Sequence, residues 1–591
     1  MRMEWRRYSQ FASGLVRRNE GVLACVFLGL LAFSIHKSAL HGYWRFDDGM
    51  HLNFVAHYSP WQYFLQPSVM LLQSYANVTP YNALFYEINL GLFGMEPRWH
   101  YAHLIVILAA TAFSTYRLMR LWQQPMAALL AAVLFLGGLP TLHVAQQLMT
   151  GHYATGLLFS VLSLHSFVLG VRQDRRGLVV LGAALYLLAT ICKEVYVPLL
   201  LALPMIPVGD LRARLKASLP YVVVAVLYTL WRYAVLGQLM GGYIATPVSP
   251  WEQLRQLLSI PLLLAGWLND HDSSDSFLGR GGLYPIVGLV ILVLIVVATY
   301  RKRLTWTLVG VSLPLILLPL LPLTGNPGVN EADRYLFLAW WACSVLLATL
   351  VGSLRNSGVE YVVKCACGVG FVALLFSAQM IEHQRITHRL AKEDTLYQTV
   401  LRMDSNTALM PPPNRDNYRK LLSGARQAAA LLTKGTKDPA KFAADKASLC
   451  EYTQQGNNIL EFDEACGCVK DVTSQLGASL TKLLGDEMRA VSGVPLSAKL
   501  TFHDSKLLWE LGPFDDGVYS VVFGSSPTKV PAHGGISWAG KEPLKFKMSH
   551  ESSDGSLALS PDLEFDMTKQ SEFSWKGNSI AEVFSCAPYA K

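Results

Sequence analysis

At 591 residues, with 52% apolar and only 16% charged side chains, the chain departs from the composition of a soluble enzyme, in which roughly a quarter of residues are charged. Its formal charge of +8 is spread along the whole length, and no basic patch of the kind nucleic acid needs is present. A polytopic membrane protein with a soluble part attached is the class that remains.

Apolar, charge-poor stretches fall near 21–38, 101–121, 126–142, 153–171, 177–192, 195–208, 218–236, 282–300, 305–323, 335–352 and 361–380, which predicts about eleven transmembrane helices. The first follows Arg2, Arg6, Arg7, Arg17 and Arg18 without a small-residue cleavage site, so it is expected to stay as an anchor. The block 177–208 is interrupted only by Lys193 and Glu194. As one helix it would run to about 48 Å against a hydrocarbon core of about 30 Å, so a hairpin turning at Lys193-Glu194 is predicted. With that hairpin, Arg117, Arg120, Arg172, Arg175, Arg176, Arg212, Arg214, Lys216, Arg301, Lys302, Arg303 and Arg355 share one side. The other side holds only Arg45, Arg98, Lys193, Arg255, Arg280 and Arg334. The positive-inside rule then makes the N-terminus cytoplasmic, and an odd number of spans sends everything after about 381 to the far side, the periplasm of a bacterium.

Beyond Met380 the composition turns polar. A helical stretch is predicted over 381–435 with a break at Pro411-Pro412-Pro413, followed from about 497 by short alternating runs, so that 381–591 reads as a helical then β-rich, α+β soluble domain. The expected division is a membrane domain over 1–380, carrying a long outer loop 39–100, and this periplasmic domain. Of nine cysteines, Cys450, Cys466, Cys468 and Cys586 lie in the tail. An even set in an oxidising compartment predicts two disulfides. Cys466 and Cys468 stand too close along the chain to pair without strain, so each is expected to meet Cys450 or Cys586. Cys-x-Cys lacks zinc spacing and has no histidine near it.

Polar groups beside spans on the outer face cluster at Trp44-Arg45-Phe46-Asp47-Asp48-Gly49, at His143 to His152, at Lys193-Glu194 and at Glu331-Ala332-Asp333-Arg334-Tyr335. Each alone has an ordinary reading: a solvated helix start, loop histidines, a neutralised turn, an interfacial cap. Together they supply what sugar transfer from a polyprenyl phosphate needs. Asp47 or Asp48 would take the proton of the acceptor hydroxyl, and Lys193 and Arg334 would stabilise the charge on the leaving phosphate, with Glu194, His152 and Tyr335 as further pocket residues. The leaving phosphate is a weak base, so no general acid is obligatory, and one-step displacement would invert the anomeric carbon.

At these residues the chain resembles the GT-C class of membrane glycosyltransferases, which includes protein O-mannosyltransferases, aminoarabinose transferases acting on lipid A, and oligosaccharyltransferases. The resemblance runs through Phe46-Asp47-Asp48, the stretch from Tyr81 to His103 with Leu92-Phe93-Gly94-Met95-Glu96-Pro97, Lys193-Glu194, Trp231-Arg232-Tyr233 with Leu236-Gly237 and Gly241-Gly242-Tyr243, and Asp333-Arg334-Tyr335-Leu336. It covers about 15–380. It implies an outward-facing site, a lipid-linked sugar donor, Asp47 as the base, and outer amphipathic helices within 55–98 that shape a donor groove. Metal-dependent relatives add acidic ligands from later outer loops, whereas 143–152 has no Asp or Glu. A metal-free site is therefore expected, with a divalent metal on Asp47 and His152 as the weaker alternative, since hard cations prefer oxygen ligands. The expected partners are the polyprenyl-phosphate donor and a periplasmic protein, glycan or lipid acceptor, in the bacterial inner membrane. A transporter or flippase of a lipid-linked saccharide, and a polymerase or ligase using a pyrophosphate donor, stay open as alternatives; the transporter lacks support from any internal repeat.

Overall fold

A computed structural model describes residues 2–239 and 333–584, except 75, 355–357, 411–415, 434–439, 444–447, 450–451, 454, 477–487, 490, 504–505, 524–525, 538–542, 555 and 581–582. The chain divides into two compact units, 1–42 with 76–390 and 43–75 with 391–591. The boundary thus falls at 390, against an expected domain end at 380. Residues 43–75 of the outer loop group with the C-terminal residues.

The first unit is a helical bundle. It contains α1 (Arg2–His36), then, after 43–75, α5 (Pro80–Phe93), α6 (Pro97–Met119), α7 (Pro125–Gly137), α8 (Leu139–Ala145), α9 (Gly151–Arg172), α10 (Arg176–Cys192), α11 (Leu199–Ala202), α12 (Leu211–Leu236), α13 (Phe337–Ser353) and the first part of α14 (Gly358–Arg402). Helices α5, α6 and α7 each begin on a proline, where the missing N–H is one the first turn leaves unbonded anyway. The side chain of Asp210 caps α12 by accepting from the Ala213 N–H at 2.6 Å, and Gly237 ends it at φ 67°.

Among the described residues six helices are long and apolar enough to cross a membrane, or seven if the bent pair α7–α8 counts as one span. The protein is therefore membrane-embedded. Val26, Phe27 and Leu30 on α1 and Val223, Val226 and Leu227 on α12 are exposed apolar side chains, an arrangement that lipid tolerates and water does not. Of the eleven expected spans, 282–300 and 305–323 lie outside the described residues, and two others differ in detail from the expectation. First, α10 is a regular helix, but the return over 194–208 is two 3-10 turns around the four-residue α11, because Pro198 and Pro204 interrupt it. Second, the span expected over 361–380 and the start of the helical stretch expected from 381 form one unbroken helix to Arg402; its 45 residues reach about 68 Å, roughly twice a hydrocarbon core.

The hairpin itself is present. Lys193 is extended at φ −159°, and the Tyr186 hydroxyl donates across the turn to the Val197 carbonyl at 2.6 Å. At the far end Trp122, after α6, donates to the Pro207 carbonyl at 3.2 Å, and Arg172 stacks over the Trp122 ring. The chain has thus come back to the end where Arg120 pairs with Glu20. Close packing needs glycine at several points, Gly156 and Gly138 among them. A side chain on Gly156 would strike Tyr196, and one on Gly138 would strike the Trp340 indole, which donates to the Leu134 carbonyl at 3.1 Å. Trp340 sits where α7 and α8 meet at 56°, and Pro140 stops a straight continuation there.

The second unit carries α2 (Asp48–His57), α3 (Pro60–Leu65), α4 (Pro67–Gln73), the end of α14, and α15 (Asp416–Leu432). The helical stretch expected over 381–435 is present as the end of α14 and as α15, and the strand β1 (Thr407–Met410), which was not expected, lies between them, with Ala408 and Leu409 fully buried. It pairs in parallel with β2 (Lys441–Phe442) and β3 (Asn458–Asp463), and β4 (Cys468–Asp471) pairs antiparallel to β3. Further on, two antiparallel sheets enclose one apolar core. One sheet orders as β10 (His533–Ser537), β7 (Lys506–Gly512), β6 (Pro495–His503) and β14 (Glu572–Asn578). The other orders as β12 (Leu557–Leu559), β11 (Leu544–Glu551), β8 (Val518–Phe523) and β9 (Ser526–Val530), with β13 (Leu563–Phe565) on β11. Leu496, Ala498 and Leu500 alternate inward on β6 and meet Phe546 and Met548 from β11. The small pair β5 (Met488–Arg489) and β15 (Val583–Phe584) completes the strands.

The disulfide expectation is also corrected. Cys466 bonds Cys468, with their Cα atoms 5.2 Å apart. Gly467 between them adopts φ 62° in the β3–β4 turn, and this left-handed residue brings the two neighbours within ordinary disulfide reach. Cys450 and Cys586 lie outside the described residues.

Candidate active site

The cationic residues singled out in the sequence gather at one end of the first unit. Lys193 ends α10 and is buried, with its Nζ 5.2 Å from the ring centre of Tyr153 at the start of α9. Arg334, in a 3-10 turn before α13, lies 5.3 Å over the ring of Tyr335 and donates to the Met149 sulfur at 3.7 Å. The Tyr153 and Tyr335 rings meet edge to face at 6.2 Å, and the His152 ring lies 4.6 Å from Tyr153. Lys193, Arg334, Tyr335 and His152 are therefore brought together around Tyr153, a residue the sequence reading passed over. Only its place next to His152 marked it. Its carbonyl accepts from the Tyr196 hydroxyl at 2.5 Å, which fixes the α9 start against the hairpin. Burial pushes the Lys193 ammonium below its ordinary value; Tyr335 and Glu194 act the other way, and Arg334 acts with burial.

Glu194, expected as a further pocket residue, bonds to neighbouring elements as well as acting on Lys193. Its carboxylate accepts from Arg232 Nε at 2.8 Å, from the Val78 N–H at 3.0 Å and from the Tyr228 hydroxyl at 3.4 Å. Arg232 also donates to the carbonyls of Ala76 and Gln238. Glu194 thus ties the hairpin tip to α12 and to the segment entering α5. His143, at the same end of the bundle, has its Nε2 3.4 Å from Glu382 of α14.

Asp47 and Asp48 belong to the second unit. Asp48 opens α2 and is fully buried, its carboxylate accepting the Arg45 N–H at 2.6 Å. Asp47 immediately precedes α2, is half-buried, and does not use its carboxylate to cap the helix. Phe46 stands at φ 45°, an uncommon conformation for a residue with a side chain, which turns the chain sharply into α2. Two residues of α14 grip this turn. Asp394 accepts Arg45 Nε at 2.5 Å, an Arg45 terminal nitrogen at 2.7 Å and the Tyr43 N–H at 3.2 Å. The Tyr397 hydroxyl donates to the Phe46 carbonyl and receives the Gly49 N–H at 3.4 Å. Gly49 in turn lets α2 lie directly on α15, since a side chain there would meet the Leu421 carbonyl.

Among the described residues no group of three or more His, Cys, Asp or Glu side chains is placed to hold a metal ion. Asp47 and His152, the pair weighed as metal ligands, fall in different units. No protein-family model matches the chain, and no curated protein matches it.

Proposed function

We propose that the chain is a GT-C-type membrane glycosyltransferase that moves a sugar from a polyprenyl-phosphate donor to a protein, glycan or lipid acceptor. The observation that carries this reading is the gathering of Lys193 and Arg334, from stretches far apart in sequence, onto the Tyr153 and Tyr335 rings at the bundle end opposite the Arg120 and Arg172 end. Two cations next to aromatic faces at a membrane surface suit a phosphate that carries a lipid tail. With the arginine-rich end in the cytoplasm, the site faces the periplasm of a bacterial inner membrane, and residues 391–591 lie on that side.

In the proposed reaction the acceptor oxygen attacks the anomeric carbon. Asp47 takes the acceptor proton, the bond from the anomeric carbon to the phosphate oxygen breaks, and the electron pair leaves on the polyprenyl phosphate, where Lys193 and Arg334 stabilise it. The anomeric configuration inverts.

The test is transfer from a lipid-monophosphate sugar by the purified protein in nanodiscs, beside Asp47→Asn and beside a lipid-diphosphate oligosaccharide as donor. Transfer from the monophosphate that falls by about 10²- to 10⁴-fold in Asp47→Asn is the expected result. Transfer confined to the diphosphate donor would make the protein a polymerase or ligase. Undiminished product from Asp47→Asn would remove the base.

A further inference from the structure

The candidate base is carried by an acidic turn whose orientation does not come from its own neighbours along the chain. The turn leaves regular geometry at Phe46, at φ 45°, and two short-range bonds close it: the Asp48 N–H to the Arg45 carbonyl at 2.9 Å and the Arg45 N–H to the Asp48 carboxylate. These hold the loop together and leave its orientation open. Orientation comes from α14. Asp394 receives three donors from Tyr43 and Arg45, and Arg45, only 6% exposed, meets it through two nitrogens at once. That planar two-point contact fixes rotation as well as position. Three residues on along α14, Tyr397 takes the other side of the turn, binding the Phe46 carbonyl and the Gly49 N–H. Asp47 lies between the two points of attachment and is the half-buried member of the acidic pair, whereas Asp48 is spent on the Arg45 amide.

We infer that Asp394 and Tyr397 are positioning residues for Asp47. This rests on the glycosyltransferase reading for its catalytic consequence, while the clamp itself is a property of the second unit. Tail residues so placed act on the rate of the chemical step. Acceptor recognition by the tail would act on the Michaelis constant for the acceptor instead.

The experiment uses the full-length protein in nanodiscs with Asp394→Asn, Asp394→Glu, Tyr397→Phe and Asp47→Asn. Transfer kinetics and amide hydrogen exchange over 43–49 are measured for each. A misplacement of about 1 Å at a catalytic group costs on the order of 10²-fold. Asp394→Asn is therefore expected to lower kcat by about that factor with donor KM within about threefold, and to speed exchange over 43–49. Tyr397→Phe should cost about tenfold, and Asp394→Glu, which keeps the charge, should recover part of the rate. A wild-type kcat in Asp394→Asn, a change confined to KM, or unaltered exchange over 43–49 overturns the inference. If Asp47→Asn transfers sugar as fast as the natural protein, the base assignment fails, and with it the catalytic purpose of the clamp. Faster exchange in Asp394→Asn would still establish the clamp as what shapes the turn.

Discussion

The two units hold their candidate functional charges by opposite means. In the first, Lys193 and Arg334 rest against the faces of Tyr153 and Tyr335, contacts worth about 0.5 to 2 kcal/mol each and tolerant of small shifts. In the second, the Asp47-Asp48 turn is pinned by directional bonds from Asp394 and Tyr397, and a slip of an ångström would break them. A soft seat suits a charge that must follow a phosphate as it leaves. A rigid one suits a base that must meet a single hydroxyl at one angle.

The sharpest way to break this contrast is to remove the soft-held charge. Lys193→Met keeps the chain length and the contact with Tyr153 while deleting the cation, and should cost on the order of 10²- to 10³-fold in transfer with the protein inserted normally. Steady-state kinetics checks it, and a loss under about fivefold would mean that Lys193 does not meet the leaving group. Next in size is Gly49→Ala. The added methyl would collide with the Leu421 backbone, so α2 must move off α15, and a loss of about 1 to 3 kcal/mol from the second unit is expected, read by thermal unfolding. Glu194→Gln keeps size and removes a charge-assisted bond to Arg232, which should destabilise the hairpin tip by about 1.5 to 3 kcal/mol in the same measurement, confined to the first unit. The smallest effect concerns pH. Burial lowers the Lys193 pKa, so raising the pH deprotonates it in the folded protein before an ordinary lysine would lose its proton. Binding of an anionic lipid phosphate should therefore begin to weaken below the usual lysine range, and Lys193→Arg should abolish that early decline.

Much of the first unit was legible because charge is rare in it. Lys193 and Arg334 announced themselves as cations in an apolar chain, and the hairpin followed from length alone. The irregular return after Lys193 was written in Pro198 and Pro204 but was read as a helix, since apolar composition does not separate a helix from a run of tight turns. Tyr153 was hidden because tyrosine is an ordinary core residue. In the second unit the acidic pair was visible and its mount was not. Asp394 and Tyr397 sit in a polar helix where neither type attracts notice, and pairing across such separations leaves no trace in local periodicity. The Cys466–Cys468 bond went unforeseen because only the separation of the two cysteines along the chain was weighed, whereas the left-handed Gly467 between them permits it.

The clamp joins residues 349 positions apart, Arg45 and Asp394. At about 5 to 20 residues per second of synthesis, the first waits roughly 20 to 70 s for the second to leave the ribosome. During that interval the nascent chain carries its carboxylates without their anchor, so the turn cannot take its final form until about two thirds of the chain has been made. A truncated product ending before Asp394 would carry the same turn without its clamp.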